Sequence, residues 1–209
     1  PFRAFFSDEQ KHIEKCEEVT GIKASPSGVF AICQNTHNGN IVACLYLEDA
    51  TEMSNNEEKR KAFNLDLLGK TWVNKMVIMS NLSFVTITEK TLISQTLVSH
   101  CLIEVLKVGG QAILADCDVG IFSLYKRLGM RPIGVLYKYS LGGQYLPMIF
   151  HPDEEDLTGI KSPVMNILRR VDFSAYREVC EWYYQLVREN HELQVGSAYY
   201  PESEAEFEG

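Results

Sequence analysis

Among the groups in this chain that can move protons, Tyr125 has the most patterned surroundings, the run DCDVGIFSLYKRLGMRPIG over residues 116–134. A tyrosine phenol titrates at about 10, so at neutral pH it keeps its proton and can donate it to a departing anion. Groups able to accept a proton are Glu48, after the apolar run IVACLYL, and Glu89, at the head of a long apolar-periodic segment. No dedicated general base stands out between them. His100 falls inside that segment and reads as a packed histidine. The six cysteines, at 16, 33, 44, 101, 117 and 180, include no C-x-x-C pair, and most sit in apolar runs. They read as small buried hydrophobes of a reducing compartment, and no metal site is expected from them.

These groups need elements to hold them. Residues 7–20 read as a helix with Ser7 as N-cap and Gly21 as its stop. GVFAIC and IVACLYL flank NTHNGN, the pattern of a β-hairpin closed on an Asn-Gly turn. Residues 49–61 are charged and read as an exposed loop with room for a short helix. TWVNKMVIM at 71–79 reads as a central strand, being almost continuously apolar. Leu92, Ile93, Leu97, Cys101, Leu102, Val105 and Leu106 recur at helical spacing, which predicts a helix over 88–108 stopped by Gly109 and Gly110. A buried strand at 111–116, a helix at 119–128, a strand at 134–139 and a return strand at 145–150 complete a mixed sheet with crossover helices.

A strand end, a helix carrying Tyr-x-x-x-Gly and a following strand resemble the pattern of the GNAT (N-acetyltransferase-like) acyltransferases. Tyr125 matches the tyrosine, Gly129 the glycine and Met130 the usual phenylalanine, while Asp118 stands where asparagine is usual. With the strand order, the resemblance spans residues 28–150. It implies an α/β (α+β) fold with a centrally splayed mixed sheet flanked by helices. It also implies transfer of an acyl group from a thioester to an amine, with Tyr125 giving its proton to the thiolate. The donor would lie between two splayed parallel strands, on the backbone of Met76, Val77 and Met79, with Asp118 and Phe122 beside it; crevices at strand ends are the usual ligand sites of open α/β sheets.

One part of the family pattern is replaced. Enzymes of this type that use acetyl-CoA follow the central strand with a glycine-rich loop whose amides hold pyrophosphate. Here the segment is SNLSFVTITE, with neither glycine nor arginine. That points to the branch of N-acyl amino acid synthases and acyl-homoserine lactone synthases, which typically take acyl groups from acyl carrier protein, whose phosphopantetheine arm lacks adenosine diphosphate. The run GGQYLPMI at 142–149 resembles the Tyr-x-Pro-Met strand of N-acyl amino acid synthases. The Glu-x-x-Arg of the lactone synthases is absent at NKMV, 74–77. The implied donor is an acyl-phosphopantetheine thioester on acyl carrier protein, or acyl-CoA, and the acceptor an amino acid or similar small amine. Phe84, Ile87, Ile113 and Met148 are candidates to line an acyl tunnel, and equally to be core. Lys126, Arg127 and Arg131 form either a basic rim for an acidic carrier or a solvated helix end. The other readings of this fold are acetyl transfer from CoA through a degenerate loop, and a binding module without catalysis.

The chain has 209 residues and a formal net charge of −8. That length suits one core domain, residues 1–150, with a helical extension and acidic tail over 151–209. The negative charge disfavours nucleic acid as a partner. No apolar run approaches the roughly 20 residues that cross a bilayer, and no signal peptide is visible, so a cytoplasmic location is expected. A chain opening on Pro1 is expected to have lost at least an initiator Met.

Overall fold

The computed structural model describes residues 2–53, 55–85, 88–107, 112–133, 136–138, 143–150, 152–168 and 172–189. One sheet contains β1 (Phe2–Ser7), β2 (Val29–Asn35), β3 (Ile41–Asp49), β4 (Met76–Phe84), β5 (Ala112–Asp118), β6 (Arg131–Pro132), β7 (Tyr137–Lys138) and β8 (Gln144–Phe150). The order is β1-β2-β3-β4-β5-β8-β6, with β7 also on β8. Among the described residues only β4 and β5 run parallel. The crossover between them carries α6 (Lys90–Lys107).

The β2–β3 hairpin closes as its turn residues dictate. Asn35 Oδ1 accepts from the His37 amide at 2.9 Å, Asn38 Oδ1 accepts from the Asn40 amide at 3.0 Å, and Gly39 takes a positive φ.

Strand alternation divides the side chains between two faces. Ala31, Cys33, Ala43, Leu45, Leu47, Val77, Met79, Ile113, Ala115, Cys117 and Met148 share one face by register, and α6 packs there. α6 buries Ile93, Leu97, Val98, Cys101, Leu102 and Val105, a stripe set by its 3.6-residue period. α7 (Phe122–Leu128) lies on the same face, against β5 and α6. The opposite face carries Phe30, Ile32, Cys44 and Tyr46, which pack with Cys16 of α1 (Gln10–Thr20). The chain between β3 and β4 forms α2 (Ala50–Met53), α3 (Glu57–Ala62), α4 (Leu65–Leu68) and α5 (Lys70–Val73).

Beyond the sheet come α8 (Glu154–Gly159), α9 (Met165–Leu168) and α10 (Arg177–Glu189). Leu157, Val164, Leu168, Tyr176, Val179, Cys180 and Tyr183 join the main core. The Tyr176 hydroxyl donates to the Leu106 carbonyl at 2.8 Å and Tyr183 to the Pro132 carbonyl at 3.2 Å.

Several local expectations need correction. Ser7 ends β1, a strand that was not expected, and α1 starts at Gln10 after Glu9. Pairing with β2 makes β1, and that partner lies more than twenty residues away in sequence. The central strand begins at Met76, after α5, and extends to Phe84 through polar Ser80, Asn81 and Ser83. β3 pairs with that polar half, so pairing outweighs the apolar pattern. The charged segment after β3 is helical and buries Ala50, Met53 and Ala62. β6 was also unexpected. Gly109, Gly110, Gly134 and Gly142, with the acidic tail, lie outside the described residues.

Candidate functional site

The site follows from where the parallel pair stops. β4 and β5 pair at Met76↔Ala112, Val77↔Ile113, Ile78↔Leu114 and Met79↔Ala115. Beyond Met79 and Ala115 both strands continue, to Phe84 and Asp118, without pairing to each other. β4 stays with β3, through a bulge that sets Asn81 and Leu82 against Leu45. Asn81 has φ of 55°, a left-handed conformation that asparagine tolerates. A bulge bends its strand and sharpens the twist, which accounts for the parting of β4 from β5. β5 instead follows β8, with Asp116↔Pro147, Cys117↔Leu146 and Asp118↔Tyr145. The sheet is therefore splayed at the carboxyl ends of its two parallel strands.

Tyr125 sits on the α6–α7 face of this opening. It is 1% exposed. Burial drives its pKa well above the ordinary phenol value, and the neighbouring Cys117, Cys101, Asp116 and Asp118 push the same way. The phenol is thus held protonated, as a proton donor must be. Helix α7 is fixed at both ends. Asp118 Oδ1 accepts from the Gly120 amide at 2.7 Å and caps the turn leading into it. Gly129, with φ of 109°, ends it, and the Met130 amide bonds the Tyr125 carbonyl at 3.0 Å. A Cβ on Gly129 would collide with Leu157 of α8.

The other expected site residues are distributed as follows. Val77 and Met79 belong to the part of β4 paired on both sides, Met76 pairs with Ala112 of β5, and the part not paired to β5 starts at Ser80. Ile113 and Met148 are fully buried on the Tyr125 face. Phe84 and Phe122 are half-buried at the opening, and the Lys90 ammonium lies 5.3 Å from the Phe84 ring centroid. Ile87 lies outside the described residues. Glu89 is exposed, with φ of 57°, at the residue before α6. Lys126 and Arg127 are exposed in the last turn of α7, where Arg127 donates to Gln95 of α6 at 3.3 Å, and Arg131 is half-buried on β6.

Glu48 lies across the sheet from Tyr125. It pairs with Ile78 and so shares a face with Leu114 and Asp116. Burial raises its pKa, and the Lys59 ammonium partly opposes this. Lys59, on α3, also reaches Asp116 Oδ2 at 3.7 Å, with side chains 13% and 4% exposed respectively. The Tyr137 hydroxyl donates to Asp116 Oδ1. Sequence reasoning passed over this cluster. Lys59 belongs to the charged run EEKRK, which reads as a solvated face, and only the docking of α3 buries it. Among the described residues no group of three metal-binding side chains converges, and no helix is long and apolar enough to span a membrane.

No family model matches this chain, and no curated protein matches it by sequence. Solved structures do match. FeeM, an N-acyl amino acid synthase from uncultured soil microbes, superposes with a TM-score of 0.52 at 11% identity, over 72% of this chain and 92% of that one. TofI in an apo form gives 0.55 at 11% identity, over 83% and 99%. MesI, a CoA-dependent acyl-homoserine lactone synthase, gives 0.50 at 11% identity, over 77% and 93%. The splayed sheet, the crossover helix and the Tyr125 helix thus belong together in one architecture, and the chain has the GNAT acyltransferase fold.

Proposed function

We propose that this protein is an N-acyltransferase that moves a long acyl group from a phosphopantetheine thioester, on acyl carrier protein or CoA, to the amine of an amino acid or a similar small molecule. The observation that carries this reading is the buried, protonated Tyr125 beside the parting of β4 and β5. The donor arm lies in that opening, with the backbone of β4 from Ser80 onward along it, past the doubly paired Val77 and Met79, and with Asp118 and Phe122 beside it. Amine attack on the thioester carbonyl gives a tetrahedral intermediate. As the C–S bond breaks, Tyr125 protonates the sulfur.

The donor preference rests on the mouth of the opening. Where a pyrophosphate cradle needs glycines, this chain presents half-buried Phe84 and exposed Val85 and Leu92, at 47% and 44%. Such a surface suits an apolar chain better than a nucleotide diphosphate. FeeM, with the same fold, is an N-acyl amino acid synthase, which agrees with an amino-acid acceptor. Phe84, Ile87, Ile113 and Met148 would line the acyl path, and Lys126, Arg127 and Arg131 would meet an acidic carrier.

The test is to offer dodecanoyl-pantetheine, dodecanoyl-CoA and acetyl-CoA separately with a mixture of amino acids, and to detect amides by mass spectrometry. Dodecanoyl amides should form, with kcat/KM for the two dodecanoyl donors within about tenfold, the nucleotide contributing about 1.4 kcal/mol or less. Product from acetyl-CoA alone would replace this reading with ordinary acetyl transfer.

A further inference from the structure

The Lys59–Asp116 pair is unused in the mechanism above, yet it occupies an informative position. Asp116 is the first β5 residue past the last β4–β5 pair, so its carboxylate stands where the strands part. Alternation places it on the face opposite Cys117, beside which Tyr125 lies. Lys59 of α3, Tyr137 of β7 and, through Lys59, Glu48 of β3 surround it. Two charges buried to this degree are costly to desolvate, and such a pair contributes little to stability over apolar residues of similar size. Position and cost together point to a chemical role.

We propose that Asp116 is the acceptor-side catalytic carboxylate, receiving the proton that the attacking amine gives up, and that Lys59 positions it. This rests on the acyltransferase reading. The amine enters from the α3 face, and its nitrogen forms the C–N bond to the thioester carbonyl carbon. The N–H proton passes to Asp116. The C–S bond then breaks with its electron pair on sulfur, and Tyr125 supplies a proton from the α7 face. Amide and thiol leave, and exchange with water returns a proton to Tyr125 and removes one from Asp116. The splayed sheet thereby separates proton donor and proton acceptor on its two sides, with the donor thioester between them.

Kinetics with dodecanoyl-pantetheine and the best amino acid from the screen decide the matter. Asp116→Asn should lower kcat by about 100-fold or more, with KM for the thioester within about threefold. Lys59→Met should lower kcat about tenfold, and Lys59→Arg should restore most of it. The double variant Lys59→Met, Asp116→Leu guards against a merely structural role. It should melt at or above the wild-type temperature and be inactive. Turnover in either Asp116 variant within about threefold of wild type would overturn the proposal. So would a loss found in Glu48→Gln and not in Asp116→Asn. If Tyr125→Phe is impaired while the Asp116 variants are normal, the acyltransferase reading survives and this assignment does not. A wild-type protein inert toward every donor removes both.

Discussion

At the scale of single residues, Tyr125 is the sharpest point of test. Its surroundings keep the phenol protonated, so no alkaline loss of activity should originate from it below about pH 10. Tyr125→Phe should cut kcat by about tenfold or more, with a melting temperature close to wild type, as measured by steady-state kinetics and thermal unfolding. Glu48 offers a different check. Its folded pKa is raised, so the folded state holds its proton more firmly than the unfolded chain does. That contribution is fully present below the unfolded value, near 4.5, and is lost as pH rises through the folded value. Glu48→Gln should therefore melt higher than wild type at pH 7, and the gap should close toward pH 4. Tyr125 was legible because its helix carries a glycine stop four residues later. Lys59 and Asp116 were not, because a charged residue in a charged run has no local mark of burial.

At the scale of elements, Gly129 joins two of them. Its positive φ ends α7 and its missing side chain admits Leu157 of α8. Gly129→Ala combines backbone strain with a collision and should cost about 2–4 kcal/mol in urea unfolding. The C-terminal helices bring Val179, Cys180 and Tyr183 into the main core and tie down Leu106 and Pro132 by tyrosine hydroxyls. A chain ending at Ser162 should consequently aggregate or melt well below the full chain, whereas a tail serving only as a docking surface would leave the melting point unchanged. The hairpin could be read locally because its turn chemistry and both strands are contiguous. The start of β4 could not. TWVNKMVIM is apolar enough for a strand throughout, yet its first residues lie in α5 and the strand runs on through Ser80, Asn81 and Ser83, where a partner rather than composition decides.

For the molecule as a whole, charge is the property that selects partners. A chain of net charge −8 repels an acidic carrier at long range, so any docking must be local, at Lys126, Arg127 and Arg131. Reversing Lys126 and Arg127 to glutamate should raise KM for an acyl carrier protein donor about tenfold and leave KM for acyl-pantetheine unchanged, the difference shrinking at high salt. The sequence by itself determined a mixed sheet, its hairpin, the long α6 and the tyrosine helix, because each depends on periodicity and punctuation within a short window. Only the tertiary structure decided where β4 leaves β5, which face each carboxylate occupies, and that Lys59 is buried against Asp116. Those outcomes depend on strand pairing and helix docking between distant segments, and a shift of one residue in register would exchange the two faces.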